Sequence, residues 1–334
     1  MKNIKNKLLI LCLYLAGAFA LCDCTALNNK TALKHAQSNQ SGYVHVDGGK
    51  LFYKKFGSGS PVIVLHGGPG LDQEYLLPQM LELAKDYEVI FYDQRGSGQS
   101  LATKIDPTCI NIHQFVKDLD TLRKHMGVKK FTLVGHSWGG FLAMNYAVKY
   151  PQHLSNLILL NTCPADFKGQ QGFVNEFMKR TKPIANQISP LSDYNLFEKL
   201  KKEEISKLYR TLFSVYFYNP NEVEKLNLNM AEASSQSGFK VHEHMSKTDF
   251  LTDNINLFPK LKTLKVPTLI VHGNQDLMPA WTAQAIQKAV SNSEIVYLEQ
   301  CGHFSYIEKP VELFSKMRNF MGKKNQGGSK DVRS

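Results

Sequence analysis

No apolar run in this 334-residue chain is as long as a membrane span. The longest, Leu8 to Leu21, covers 14 residues, short of the roughly 20 that an α-helix needs to cross a bilayer. The cysteines are few and show no metal-site spacing, so neither a zinc module nor a disulfide scaffold is expected, and a chain this long needs no disulfides to fold. No basic stripe interleaved with aromatics marks a nucleic-acid surface. A glycine-rich loop at residues 66–70 lacks the Lys-Ser/Thr of a phosphate-binding loop and the G-x-G-x-x-G spacing of a dinucleotide site. These absences exclude nucleic-acid binding and give no reason to expect a metal or other cofactor. Apolar content of 43% and charged content of 21% are ordinary for a globular enzyme-sized fold.

The first residues form a segment of their own. Lys2, Lys5 and Lys7 make a basic head before the apolar run, and Ala18-Phe19-Ala20 fits an A-x-A cleavage site, so residues 1–21 are expected to be a signal peptide and the protein to be exported, periplasmic or secreted. Cys22 and Cys24 follow. Lipid attachment at Cys22 is a second reading and the only route to a membrane, but Leu21 stands where lipoprotein signals have a small residue, which favours a soluble exported protein. Five cysteines (22, 24, 109, 163 and 301) lie beyond the signal, an odd number that leaves a thiol unpaired or modified, with no pairing specified. Net charge is +11, three of it from the signal lysines and part from Lys323, Lys324, Lys330 and Arg333 in a tail, 323–334, that reads as disordered. Residues 22–42 are polar and aperiodic and read as a tether.

From Tyr43 the pattern changes. Tyr43–Val46 and Leu51–Phe56 read as strands joined through Asp47-Gly48-Gly49, a hairpin. Short apolar strand signals then alternate with helix-like stretches: Pro61–Leu65, a helix over 74–85, Tyr87–Tyr92, a helix over 113–126, Phe131–Val134, a helix from Phe141, and Leu157–Leu160. Strand signals return at Pro267–Val271 and Glu294–Leu298. This alternation predicts an α/β fold, a mostly parallel sheet with helices on both faces. Between 166 and 250 it stops. There Ile205, Leu208, Tyr209, Leu212, Phe213 and Tyr216 lie on one helical stripe, and the segment reads as an inserted helical cap over the strand ends. The domain reading is therefore a first core part at 43–165, the cap at 166–250 and a second core part at 251–322.

The chemistry sits where strands end. Gly135-His136-Ser137-Trp138-Gly139-Gly140 follows a strand and opens a helix, the context in which G-x-S-x-G forms a nucleophile elbow. His272-Gly273-Asn274-Gln275-Asp276 follows a second strand and Cys301-Gly302-His303 a third. Serine needs a base, and histidine needs a carboxylate to fix its tautomer, so Ser137, His303 and Asp276 form one set, in the chain order Ser-Asp-His. Asp253 competes with Asp276 but follows no strand. The loop His66-Gly67-Gly68-Pro69-Gly70 supplies one arm of an oxyanion hole, and the Trp138 amide the other. His66, His136 and His272 are expected to shape the site by hydrogen bonding, Asp93 and Arg95 to form an ion pair that stabilises their loop, and His242 and His244 to lie on a surface strand or turn.

The stretches 66–70, 93–100 (Asp-Gln-Arg-Gly-Ser-Gly-Gln-Ser) and 135–140, with 273–276 and Gly302-His303, together resemble the proline iminopeptidase family of α/β-hydrolases over about residues 43–165 and 255–320. The resemblance implies an α/β-hydrolase fold, nucleophile Ser137, base His303, orienting Asp276 and oxyanion amides at Gly68 and Trp138. It also implies removal of an N-terminal residue, usually proline, from short peptides, without a cofactor. Family members hold the substrate amine with cap glutamates. Glu203, Glu204, Glu222, Glu224, Glu232 and Glu243 are the cap's acids considered for that role, none of them assigned to a family position, and 221–243 holds four acids against two lysines, which permits a cationic amine. A carboxylesterase, lipase-like or amidase activity on the same triad is the alternative, and a non-catalytic binding module a more distant one. Oligomeric state is open.

Overall fold

The computed structural model describes residues 40–322, apart from 103 and 251. The expectations for the signal segment, Cys22 and Cys24, most of the tether and the basic tail fall outside the described residues. The first strand, β1, runs Gln40–Val46, so pairing begins three residues before the sequence pattern shows it; Gln40, Ser41 and Gly42 are polar or small but sit opposite Lys55, Lys54 and Tyr53 of β2, Gly49–Phe56. β3 is Pro61–Leu65, β4 Glu88–Tyr92, β5 Phe131–His136, β6 Leu154–Leu160, β7 Thr268–Gly273 and β8 Ser293–Leu298. They form one eight-stranded sheet in the order β1-β2-β4-β3-β5-β6-β7-β8, antiparallel at β1-β2 and β2-β4 and parallel elsewhere.

The inner parallel strands read as largely apolar runs because both faces are covered, whereas β8, at the sheet edge, is only partly buried. Alternation divides each between two cores: Ile63, Leu133, Leu157 and Ile270 point into one, and Val64, Val134, Ile158 and Val271 into the other. On the first face lie α1, Ile112–His125, through Phe115, Leu119 and Leu122, and α2, Trp138–Lys149. The second face is covered by Met80 and Leu83 and by Leu313 and Met317 of the C-terminal helix Pro310–Gly322.

Three expectations need correction. The single helix over 74–85 is two 3-10 turns, Gln73–Leu76 and Gln79–Lys85, because Pro78 forces Leu77 before it into extended backbone (φ −98°, ψ 144°). Arg95 does not pair with Asp93. It makes a buried two-pronged bond to Asp118 of α1 (Nε to Oδ2 2.8 Å, Nη2 to Oδ1 2.7 Å), while Asp93 accepts from the Gln73 and Gln99 amides. His242 and His244 lie in a helix, Glu232–Met245, whose apolar Val241 and Met245, one helical turn apart, are fully buried.

The inserted segment is helical. α3, Phe167–Thr181, starts at Asp166, whose carboxylate accepts from Gly169 N (2.9 Å); α4, Lys202–Ser214, and α5, Glu232–Met245, follow. The insertion leaves and rejoins the core side by side, through Phe167 N–H to Ile255 O and Leu257 N–H to Ala165 O. Ile205, Leu208 and Leu212 of the α4 stripe pack inside, whereas Phe213 and Tyr216 at its end bear on the core loop 303–304 (ring centroids 5.4 Å apart for Phe213–Phe304 and for Tyr216–His303).

Candidate active site

Ser137 sits between β5 and α2 at φ 56°, ψ −122°, a region an L-residue occupies only when its surroundings impose it. The surroundings are the flanking glycines. A Cβ on Gly135 would come within 2.7 Å of Gly140 Cα, and one on Gly139 within 2.7 Å of the His66 carbonyl oxygen. Backbone bonds then pin the turn: Ser137 N–H donates to Leu160 O (3.0 Å), and Ser137 O accepts from Gly140 and Cys163 amides (2.9 and 3.0 Å). The hydroxyl is partly exposed and lies 4.0 Å from Cys163 Sγ.

Asp276 and His303 follow β7 and β8 and meet there. His303 Nδ1 is 2.9 Å from Asp276 Oδ1 and 3.1 Å from Oδ2, so Nδ1 carries the proton and Nε2 the lone pair. Asp276 also accepts from Met278 N (3.0 Å) and Asn161 Nδ2 (2.8 Å); Asn161, at the end of β6, donates to Gly302 O as well (3.0 Å). Burial works against the Asp276 charge, but the charge and hydrogen bond of His303, with His272 and the Met278 amide, outweigh it and hold the pKa at about 2. The carboxylate is therefore ionised at any neutral pH.

A hydrogen-bonded chain joins the glycine loop to the His303 loop. Gly67 N–H donates to the Tyr75 hydroxyl (2.6 Å), which donates to His136 Nδ1 (2.7 Å), and His136 Nε2–H donates to His303 O (2.9 Å). Burial, followed by the charge of His303, depresses the His136 pKa to about 3, which fixes it as a neutral imidazole with one donor and one acceptor. His66 works the same way, its pKa pulled to about 4 by burial: Nε2 accepts from Gln94 N (2.9 Å) and Nδ1 donates to Gly67 O (2.8 Å). Gln94 closes the frame, donating to His66 O and accepting from the Trp138 indole (3.1 Å). His272 is buried, its Nδ1 4.0 Å from Asp276 Oδ2.

The glycine loop lies directly on Ser137: a Cβ on Gly67 would reach within 3.0 Å of Ser137 Cβ. Gly68 adopts φ +118°, closed to L side chains, and Trp138 is the first residue of α2, at the positive end of its dipole. Sequence reasoning missed Tyr75 and Asn161. Asn161 left one usable signal, its position directly after a strand, as with Ser137.

Among the cap acids, Glu204 accepts from Lys201 N, Glu222 pairs with Lys225, Glu224 with Arg210, Glu232 with Lys201 and Glu243 with Lys247; Glu203 is exposed.

A serine on a strained strand-to-helix turn, with an Asp-His pair supplied by the loops after β7 and β8 of the same parallel sheet, defines a class of hydrolytic fold. The model of the alpha/beta hydrolase fold family matches residues 60–310, and the chain belongs to that family. It is an enzyme, a serine hydrolase by class. It is similar to the proline iminopeptidase of Saccharolobus solfataricus, 28% identical over 295 residues that cover 84% of this chain and 92% of that protein. Among solved structures it resembles a proline iminopeptidase of Mycobacterium smegmatis (TM-score 0.66, 18% identity, 87% of this chain and all of that one). It also resembles the meta-cleavage product hydrolase CumD (TM-score 0.64, 22% identity, 86% and 98%).

Proposed function

We propose that this hydrolase releases an N-terminal residue, proline by preference, from short peptides through an acyl-enzyme on Ser137. His303 takes the Ser137 proton at Nε2 and returns it to the leaving amine. Asp276 holds the reactive tautomer and stabilises the imidazolium. The Gly68 and Trp138 amides receive the charge that develops on the carbonyl oxygen, each worth about a hundredfold or more in rate. The hydrogen bond from Ser137 to His303 belongs to the substrate-bound state, since catalytic bonds commonly tighten only there.

The observation that carries the chemistry is the Asp276–His303 bond at 2.9 Å, which leaves Nε2 free to serve as the base, with His303 O bonded to His136, the residue before Ser137, at 2.9 Å. Support for the peptide substrate comes from the relatives: the proline iminopeptidase of S. solfataricus matches along 92% of its length. Export of the enzyme rests on the sequence of residues 1–21 alone.

A second reading, esterase or amidase chemistry without an amine pocket, is favoured by the pairing of five of the six cap glutamates considered as amine ligands with cap cations or a backbone amide. A panel of prolyl and alanyl anilides with free amines, an N-blocked prolyl anilide and a short acyl ester separates the two. Cleavage of the free-amine anilides, lost on blocking, supports the aminopeptidase, whereas turnover of the ester alone contradicts it. The Ser137→Ala variant serves as the blank.

A further inference from the structure

The end of the cap that follows α4 is bound to both loops that carry the Asp-His pair, through two charged side chains with no place in the chemistry above. Arg180, on α3, spends its guanidinium on backbone: Nη1 donates to Gln275 O (2.9 Å) and Val215 O (3.4 Å), and Nη2 to Asp276 O (3.1 Å). Its Nε is bonded to Glu176 (2.9 Å), which balances the charge. Glu308 does the complementary work with an acceptor. Its Oε1 receives Tyr218 N–H (2.7 Å) and its Oε2 Gly302 N–H (2.8 Å).

Between these anchors His303 N–H donates to Tyr216 O (2.8 Å), and Gly302 lies so close to the cap that a Cβ there would meet Tyr218 N at 2.8 Å. The loops are also tied to each other, by Gln275 N–H to Cys301 O (2.9 Å) and Cys301 N–H to Gln275 Oε1 (3.0 Å). Cap residues 215–218 thus form a brace. Arg180 fixes it to the backbone of Asp276, and Glu308 fixes it to the residue before His303.

We propose that Arg180 and Glu308 are positioning residues that use the 215–218 brace to hold Asp276 and His303 in register, so that the cap completes the base as well as covering the substrate. This rests on the reading of Asp276 and His303 as orienter and base. Arginine is required because its planar fork reaches three carbonyls on two segments at once, which the point charge of lysine cannot do. Glutamate is required because only a carboxylate accepts from two amides on opposite sides without offering a donor of its own.

The test uses a fluorophosphonate that labels activated serines, with Ser137 labelling followed by mass spectrometry in wild type, Arg180→Met and Glu308→Gln. The saturation dependence of the rate separates inactivation (kinact) from reversible binding (KI). The proposal expects kinact to fall about tenfold to a hundredfold in Arg180→Met, the size of effect that sub-ångström to 1 Å misplacement produces, with KI unchanged. Added guanidinium ion should recover part of the loss. Glu308→Gln should lower kinact in the same sense and provides the answer if Arg180→Met does not fold. Unchanged kinact in the folded variants, or a change confined to KI, overturns the positioning role. Absence of wild-type labelling at Ser137 overturns the reading of the site and this proposal with it, so the two failures are distinct.

Discussion

Replacing Asp276 with asparagine tests the electrostatics of the pair at nearly constant shape. The gap between a pKa of about 2 and the ordinary 3.8 of a carboxylate corresponds to roughly 2 kcal/mol of net ground-state stabilisation of the charge after burial has opposed it, or about thirtyfold if that alone were lost. The hydrogen-bond inventory makes the loss larger. Asparagine must place its NH2 either at the Oδ1 position, against Met278 N–H, or at the Oδ2 position, against Asn161 Nδ2. Both positions lie within 3.1 Å of His303 Nδ1, so either choice sets an NH2 beside the Nδ1 proton, leaves a single neutral oxygen to accept it, and favours the tautomer with the proton on Nε2, which cannot accept from serine. Asn161 can turn its amide, whose Oδ1 has no partner, but then gives up its bond to Gly302 O. The expected fall in kcat is about 10³ to 10⁴, the upper figure being about 5.5 kcal/mol, with little change in KM. Steady-state kinetics on the best substrate of the anilide panel, with a melting curve to confirm folding, gives the answer. Activity within tenfold of wild type would refute the assignment of Asp276.

Tyr75→Phe removes the hydroxyl between Gly67 N–H and His136 Nδ1 and leaves two buried polar groups unsatisfied. It should lower stability by about 1–3 kcal/mol for each and slow turnover, seen as a reduced Tm together with a reduced kcat; an unchanged Tm would show that the chain of bonds carries no weight. Asp72 is the second test. Burial, then the charges of Asp93 and Glu74, raise its pKa from 3.8 to about 8, so the folded state keeps a proton that the unfolded chain has lost. Stability therefore falls as pH rises through the window from about 4 to about 8, the sign opposite to that of Asp276, whose contribution is present above about pH 4 and lost towards pH 2. Asp72→Asn, which keeps the cap on Glu74 N, should remove part of the decline in Tm across pH 4 to 8; an equally steep decline in the variant contradicts it.

The three strand ends were legible because each strand carries a short apolar run, fully buried in β5 and β7 and partly exposed in β8, and the loop that follows it holds the candidate residue. Ser137, Asp276 and His303 all follow such runs. The loop that lies against Ser137 was legible through its glycines. What sequence could not show is pairing across distance. Arg95 stands two residues from Asp93, yet its partner is Asp118, a helix away. Tyr75 bonds the Gly67 amide and the His136 ring within the core, while Arg180 and Glu308 bond backbone groups across the contact between cap and core, and no periodicity records such bonds. Pro78 was the one clear local signal left unread, since the extended residue before a proline breaks the helix expected over 74–85. The alternation of His242 and His244 invited a strand, but burial of Val241 and Met245 one turn apart carried the segment into a helix.

The central claim is that Ser137 is the one serine activated by this arrangement. Treating the full chain with a fluorophosphonate and mapping the adduct by mass spectrometry tests it directly. The account predicts a single label, on Ser137, absent from the Ser137→Ala protein with its melting temperature retained. A label on another residue, or hydrolysis that survives in the alanine variant, would contradict it.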